Sequence, residues 1–408
     1  MNISLLKNLS YTKLINITFI LYAFSIPLSR AGISLFSILL ILFWLLEGDF
    51  KRKFLQIKNN NFLFTGILFL GYIILTTLWS DNLVEVWEHF KRTWYYLVML
   101  VIFTSVKQEF TEKAIIAFLS AIFISVLISY GMAMELIVNK HGTSADPTPF
   151  MNHLEYSILL AMASLISLKE ALFSNQIKTK VIYISLFLLI TIDLFITEGR
   201  IGHLAFAIGL FIFIMNYFKH KFLAIILSLF TLFTLFLGIY SSSSSFQSRM
   251  STSINSIEHI SNKQYNSSFG LRIVSWKTTI DILTKNPLIG IGIGDVSDTT
   301  HQYVLSNNLL HTGYFLNTIT GSLHSDLLEI AMGGGFIAVI LFLLSFYYLS
   351  RLKLYNNKFN DYKYILVSVF LIAQLGDTFF RLQFTENLFI LFAGIILVAS
   401  NNSRKEPF

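Results

Sequence analysis

Long apolar runs, each bounded by short polar or basic patches, fill most of this chain. Runs suited to crossing about 30 Å of hydrocarbon fall near residues 13–29, 32–48, 62–79, 93–106, 114–137, 154–169, 181–197, 202–218, 222–240, 324–350, 363–380 and 386–400. They are unbroken rather than alternating, which predicts α-helices and excludes the period-two pattern of a membrane β-barrel. The pattern fails once, over residues 241–323, where the chain turns polar. Inside that break Val274, Trp276, Ile280 and Leu283 recur at helical spacing. They predict a short amphipathic helix over about 271–285, lying on the membrane surface and ended by Pro287. The expectation is an all-α polytopic membrane protein of about twelve transmembrane helices. Helices 1–9 would occupy residues 1–240, a large external loop with short amphipathic helices 241–323, and helices 10–12 with a cytoplasmic tail 324–408.

Composition and charge sharpen this picture. The chain is 54% hydrophobic and 13% charged, where soluble domains carry about 25% charged residues. Its net charge of +7 does not point to nucleic acid, because the basic residues gather in short segments between apolar runs. With the N-terminus in the cytoplasm, nineteen of the 30 lysines and arginines fall in cytoplasmic segments. Six (Arg30, Lys91, Arg92, Lys140, Arg200 and Arg381) fall in short external ones, and the other five in the long loop, where the positive-inside rule carries no weight. Losing or adding one run would invert everything after it, so the bias supports twelve runs, cytoplasmic termini and an external loop. The first run lacks a small-residue cleavage site and is expected to remain as a span. Cysteine is absent, which removes disulfides, thiolate chemistry and Cys-ligated zinc.

Candidate chemistry lies on the external side. Arg200 sits in ITEGRIGH between two apolar runs, either as an interfacial snorkelling residue or as a ligand-holding one. Gly199 and Gly202 beside it would let another molecule approach the backbone. Asp193, two turns deeper, is a candidate partner for Arg200 or a buried packing residue. Arg272 is placed in the first turn of the amphipathic helix, where the dipole disfavours a cation unless an anion or a carboxylate is shared. Glycines 290, 292 and 294 lack the Lys-Ser/Thr and βαβ context of a phosphate loop and read as a tight extended turn.

His324 opens the tenth run, as an interfacial residue or a catalyst beside an outward helix N-terminus that would favour an anion. Glu329 lies about 140° further round that helix, and Gly333 to Gly335 soften it or permit close packing. Asp281, Asp295 and Asp298 form no metal motif in the loop, so neutralisation of a phosphate falls to arginine, whose planar fork suits it. Neither metal nor cofactor is expected. Two external arginines, a helix start and a histidine together suggest a diphosphate site with a nearby base.

Arg272-x3-Trp276-x10-Pro287, the run Gly290-Ile-Gly292-Ile-Gly294, His324-x4-Glu329 with its glycine-rich turn, and Arg200 after an apolar run resemble the signature of bacterial O-antigen ligases. The large loop before the tenth helix is similar too. The resemblance implies a periplasmic, metal-independent membrane glycosyltransferase of the GT-C type in the bacterial inner membrane. Such an enzyme transfers a glycan from undecaprenyl diphosphate to a sugar hydroxyl of lipid A–core, with inversion. By this likeness Arg200 and Arg272 hold the diphosphate and His324 serves the acceptor hydroxyl. Gly199 stands where the family often has serine, and the segment with Asn152, His153 and Glu155 matches the family only loosely. Asn152, His153, Lys91, Arg92, Trp276, Glu329 and Asp193 are therefore secondary candidates.

Related polymerases and protein O-oligosaccharyltransferases share parts of this signature and the same donor. A soluble periplasmic domain would favour a protein acceptor, and the chain ends soon after its twelfth run. A transporter would need ionisable residues at the membrane midplane. Asp193, Asp377 and Arg381 are the hints of one, and Asp377 with Arg381 reads as a plain i, i+4 pair.

Overall fold

The computed structural model describes residues 10–402 except 92, 243–246, 249–250, 252–253, 255–259, 261–263, 311–312 and 355–356. The described residues are helical or irregular, with no strand among them. Every apolar run becomes a helix. Nine are long and apolar enough to cross a membrane among the described residues. They are α2 (Arg30–Glu47), α4 (Asn61–Leu75, continued to Trp79 by a 3-10 turn), α7 (Gln108–Ala133) and α8 (His153–Phe173). The rest are α9 (Ile177–Ile196), α10 (Arg200–Tyr217), α11 (Lys221–Ser242), α15 (Asp326–Ser350) and α17 (Gln383–Asn402).

Three expected spans are shorter: α1 (Tyr11–Ser25) has 15 residues, α6 (Tyr96–Ser105) 10 and α16 (Asn357–Ala373) 17. The twelfth-from-start count of full crossings therefore exceeds what helix length alone supports. In α16 the reason is local: the chain leaves the helix at Gln374 and turns through Gly376 and Asp377 instead of continuing to residue 380.

Helices α8 and α17 are buried along most of their length and form the centre. Helices α9 and α10 pack on α8, and α6 and α16 pack on α17. Polar contacts gather at the helix ends. Arg30 at the start of α2 pairs with Glu155 at the start of α8 at 3.2 Å, and Glu155 also accepts from Phe384 N at the start of α17. At the other end, Lys358 at the start of α16 pairs with Glu112 near the start of α7 and Glu170 near the end of α8, at 3.2 and 3.4 Å. This segregation is what antiparallel neighbours joined by short loops produce.

The long polar segment supplies α12 (Ser268–Leu283), α13 (Val296–Ser306) and α14 (Gly313–Gly321). Leu271, Val274, Ile282, Val304, Ile319 and Leu323 pack together there, against Leu328 and Met332 of α15. Helix α12 begins three residues earlier than expected, because Ser267 caps it by accepting from Gly270 N. Its buried face is also a different one. Leu271, Val274, Ser275, Thr278, Thr279 and Ile282 are inside, whereas Trp276 and Ile280 face out. Trp276 is thus an outer-surface residue of α12.

The glycine run locks this segment to α15. Gly335, with φ +66°, breaks α15, so the N–H groups of Phe336 and Ile337 leave the helix and donate to Pro287 O and Leu288 O at 2.8 and 3.2 Å. The carbonyls of Met332 and Gly333, which those N–H groups would have bonded, accept instead from Ile291 N and Gly292 N at 3.0 and 2.9 Å. Backbone meets backbone so closely that a Cβ on Gly335 would lie 2.3 Å from Leu288 O, and one on Gly290 2.6 Å from Gly333 O. Gly335→Ala should therefore lower the thermal aggregation midpoint in detergent, through roughly 1–3 kcal/mol of backbone strain plus the clash. Gly71→Ala, where a Cβ meets nothing within 4 Å, should leave the midpoint unchanged. Equal midpoints for both variants would refute this account of the splice.

Candidate functional site

The turn between α14 and α15 carries His324. Its backbone is left-handed, φ +52°, a conformation that costs a β-carbon residue about 1–3 kcal/mol and must be held by its surroundings. The holding contacts are Ser322 Oγ, which accepts from His324 N at 3.1 Å, and Glu329 Oε1, which accepts from Leu323 N at 3.2 Å. Ser325 then caps α15 by accepting from Leu328 N. The result presents the imidazole to Asp377, with Nδ1 3.3 Å from Asp377 Oδ2. An ionised carboxylate only accepts, so Nδ1 carries a proton and donates it to Asp377. Nε2 is buried and has no hydrogen-bond partner among the described residues.

Asp377 belongs to the turn that ends α16. Burial alone would raise its carboxyl. The hydrogen bond and charge of His324, the Thr378 N–H and the Arg272 guanidinium outweigh that, holding it below the usual carboxylate range. The i, i+4 reading with Arg381 is corrected: Arg381 pairs with Glu329 at 2.7 Å, not with Asp377. The Glu329 charge raises Arg381 above its ordinary value. Glu329 therefore closes the His324 turn and does not face the imidazole.

Gly376, one residue before Asp377, gathers the arginines. Its carbonyl accepts from Arg272 Nη2 at 3.1 Å. Arg272 Nη1 donates to Ser268 O and Oγ, each at 3.0 Å, so all three bonds go to neutral oxygens. The arginine is the fifth residue of α12, a turn further in than expected. Burial lowers its pKa, Asp377 opposes that, and the like charge of Arg200 adds to it. Arg200 itself is exposed at the start of α10, and its neighbour Ile201 packs on Gly376, 2.4 Å from where a Cβ would lie. Arg200, Arg272 and His324, far apart in sequence, thus meet around one turn of chain.

Other expectations change. Asp193 takes hydrogen bonds from Ser129 and Tyr156 at 2.5 and 2.7 Å and is a buried packing residue. Gly199 and Gly202 do not open the backbone to a ligand, since Ser157 of α8 fills the space where a Cβ would go, at 2.2 and 2.3 Å. The start of α15 is no open anion site: it carries Asp326, which accepts from Phe380 N at 3.2 Å, and Glu329. Asn152 caps α8 by accepting from Glu155 N. Lys91 pairs with Glu88, and Arg92 lies outside the described residues. His153 Nδ1 sits 3.0 Å from Asp146, and with Glu198 these two place three potential ligand atoms within 4.8 Å of one another. That group lies outside the long polar loop.

Residues 185–343, from α9 into α15, match the family model described as O-antigen ligase. The chain carries an O-antigen ligase family domain. The matched stretch holds Arg200, Arg272 and His324, whereas Asp377 lies beyond it. The O-antigen ligase domain supports ligase- or polymerase-type activity in general, of a membrane glycosyltransferase-like kind, with lipid-linked glycan and lipid A–core type partners. No curated protein matches the chain.

The Asp377 contact has a pH signature. A carboxyl held below its unfolded value of about 3.9 stabilises the fold above that value, and this contribution is lost as pH falls through the native one. Asp377→Asn should lower the melting midpoint by a constant amount from pH 7 to about pH 5. The gap to the wild type should close only below about pH 4. A gap that widens as pH falls would contradict the pairing.

Proposed function

We propose that this chain is a periplasmic O-antigen ligase of the GT-C type, anchored in the bacterial inner membrane with both termini cytoplasmic. It transfers a glycan from undecaprenyl diphosphate to a sugar hydroxyl of lipid A–core. The observation that carries the reading is the His324–Asp377 pair beside two arginines. The imidazole keeps Nε2 buried and without a hydrogen-bond partner among the described residues, and the arginine Arg272 bonds only neutral oxygens. Such a guanidinium welcomes an anion, and diphosphate is the leaving group that accumulates charge as transfer proceeds.

In this reading Nε2 of His324 takes the proton of the acceptor hydroxyl while Asp377 holds the ring and the charge that develops on it. The hydroxyl oxygen bonds to the anomeric carbon of the donor, the bond from that carbon to the diphosphate oxygen breaks, and the electron pair leaves on undecaprenyl diphosphate. Arg200 and Arg272 offset the added negative charge. Displacement from the opposite face inverts the anomeric configuration. No step requires a metal ion.

Reconstitution with lipid-linked donor and lipid A–core tests this. His324→Ala should reduce transfer by about 10²–10⁴, and Arg272→Ala by about 10²–10³, each at wild-type membrane levels. Lipid-linked glycan should accumulate in cells carrying either variant. Undiminished transfer in both variants would end the proposal. Excess chelator should leave transfer intact. Complete loss restored by a divalent ion would refute metal independence and direct attention to Asp146, His153 and Glu198.

A further inference from the structure

Helix α4 is flanked by two short helices, α3 (Phe50–Lys58) before its start and α5 (Leu83–Phe90) past its end. Helix α3 joins α2 to α4, both apolar enough to cross a membrane, so it sits at a membrane boundary. Gly48 and Asp49, left-handed at φ +72° and +54°, turn the chain into it. Lys53 then fixes which way the helix rolls. Its ammonium is buried, pairs with Glu47 at 2.9 Å, donates to Trp44 O at 2.8 Å and lies over the Trp44 ring. Glu47 also accepts from Thr12 Oγ1 at 2.8 Å and from Ser105 Oγ, which brings the start of α1 and the end of α6 to the same corner. Arg52 is held by Asp49 at 2.6 Å and by Thr104 O at 3.1 Å.

With Lys53 inward, the other half of α3 points away from the protein. Phe50, Phe54 and Leu55 on it are 52%, 64% and 49% exposed. At about 100° per residue, Lys51 and Lys58 project between Phe54 and Leu55. Both lysines are exposed, and among the described residues neither ammonium has an ion-pair or hydrogen-bond partner. Lys13 follows Thr12, and Lys107 N donates to Asn16 Oδ1 at 2.9 Å, so these two exposed lysines flank the same corner. The carboxylates of the corner, Glu47 and Asp49, are already occupied by Lys53 and Arg52. Glu109, two residues beyond Lys107 in the chain, is the one further carboxyl beside the four lysines in sequence. Residues 1–9, outside the described residues, add Lys7 and no acidic side chain.

We propose that the outer face of α3 is a binding surface for anionic phospholipid. Lys51 and Lys58 take the headgroup phosphates, and Phe50, Phe54 and Leu55 enter the acyl region beside them. Two independent features select this occupant. Unpaired lysines ask for an anion, and large apolar side chains interleaved with them ask for hydrocarbon. A free phosphate or a soluble acidic protein surface answers the first and leaves the rings in water. A phospholipid answers both, because lysine stems lie along the apolar layer while their ammonium groups reach the phosphates. This surface belongs to the end of α4 away from Thr76 and Ser80, where the glycine run is held, and it owes nothing to the transfer reaction.

The chain has no cysteine, so Leu55→Cys gives one attachment point for a fluorescent dye on this face. The full chain is placed in nanodiscs of equal parts phosphatidylcholine and phosphatidylglycerol, with a nitroxide quencher on the acyl chains of one lipid or the other. Both lipids should quench the dye, phosphatidylglycerol about fivefold more strongly, the preference that even one lysine at an anionic surface supports. Adding Lys51→Gln and Lys58→Gln, both at exposed positions, should bring the two lipids within about twofold of each other. Absence of quenching by either lipid would place α3 in water, as a soluble anionic partner would require, and would overturn the proposal. Equal quenching by the two lipids with both lysines intact would overturn it without recourse to the lysine variant. A preference that survives in the lysine variant would overturn it too. Failure of transfer in the reconstituted assay would count against the enzymatic reading alone and leave the quenching result standing.

Discussion

Within a membrane every backbone polar group must find a partner inside the protein, and the break in α15 meets that constraint by borrowing another strand of chain. Two N–H groups and two carbonyls released at Gly335 are all re-paired with residues 287–292. The exchange is cheap only because glycines face each other across it, at 290, 333 and 335. Its consequence reaches beyond local satisfaction. By fixing the chain just after α12, it sets where that helix lies, and so where Arg272 meets the Gly376 carbonyl. The same run continues onto the end of α4, where Ile293 N and Gly294 N donate to Thr76 and Ser80 and the Asp295 carboxylate accepts from Asp81 N and Asn82 N. The external segment is thereby held at two points of the helical body.

With that anchor in place, the site forms where three chain turns touch: the start of α10, the turn at Gly376–Asp377 and the left-handed residue before α15. The helix start itself contributes nothing to anion binding, since its own Asp326 and Glu329 occupy it. In the proposed transfer, charge compensation for the diphosphate would therefore rest on arginine side chains, through positioning and electrostatics. The strain at His324 is held by Ser322 and Glu329 while the ring meets Asp377.

Much of this was legible beforehand. Apolar run length located the long helices but not the short α13 and α14 of the polar segment, and Arg200, Arg272 and His324 stand out as ionisable residues grouped on the side expected to be external. What escaped is instructive. Asp377 is 53 residues from His324 in the chain, and a carboxylate four positions before Arg381 has a ready local explanation that nothing in a linear pattern overrides. Helical spacing marked Val274, Trp276, Ile280 and Leu283 on α12, whereas the side packed inside carries Leu271, Val274 and Ile282; two apolar stripes share the helix, and only tertiary packing decides which is inside. Gly199 and Gly202 were read as openings for a ligand, yet close approach by Ser157 uses them, and glycine looks the same in either role.

The arrangement of charge around the Leu323–His324 turn gives the molecule a direction. Arg200, Arg272 and Asp377 stand beside it, and the Asp377 carboxylate is occupied by the imidazole. Next to Leu323, among the described residues, lie Glu329 and Arg381, already paired with each other. A transfer between two amphiphiles in one membrane needs each to enter where the other does not, because both are driven in by the same burial of hydrocarbon. Hydrophobicity cannot tell them apart, so discrimination must come from their heads. In the proposed transfer, the arginines beside His324 would supply that discrimination on the donor's side, by taking a diphosphate head.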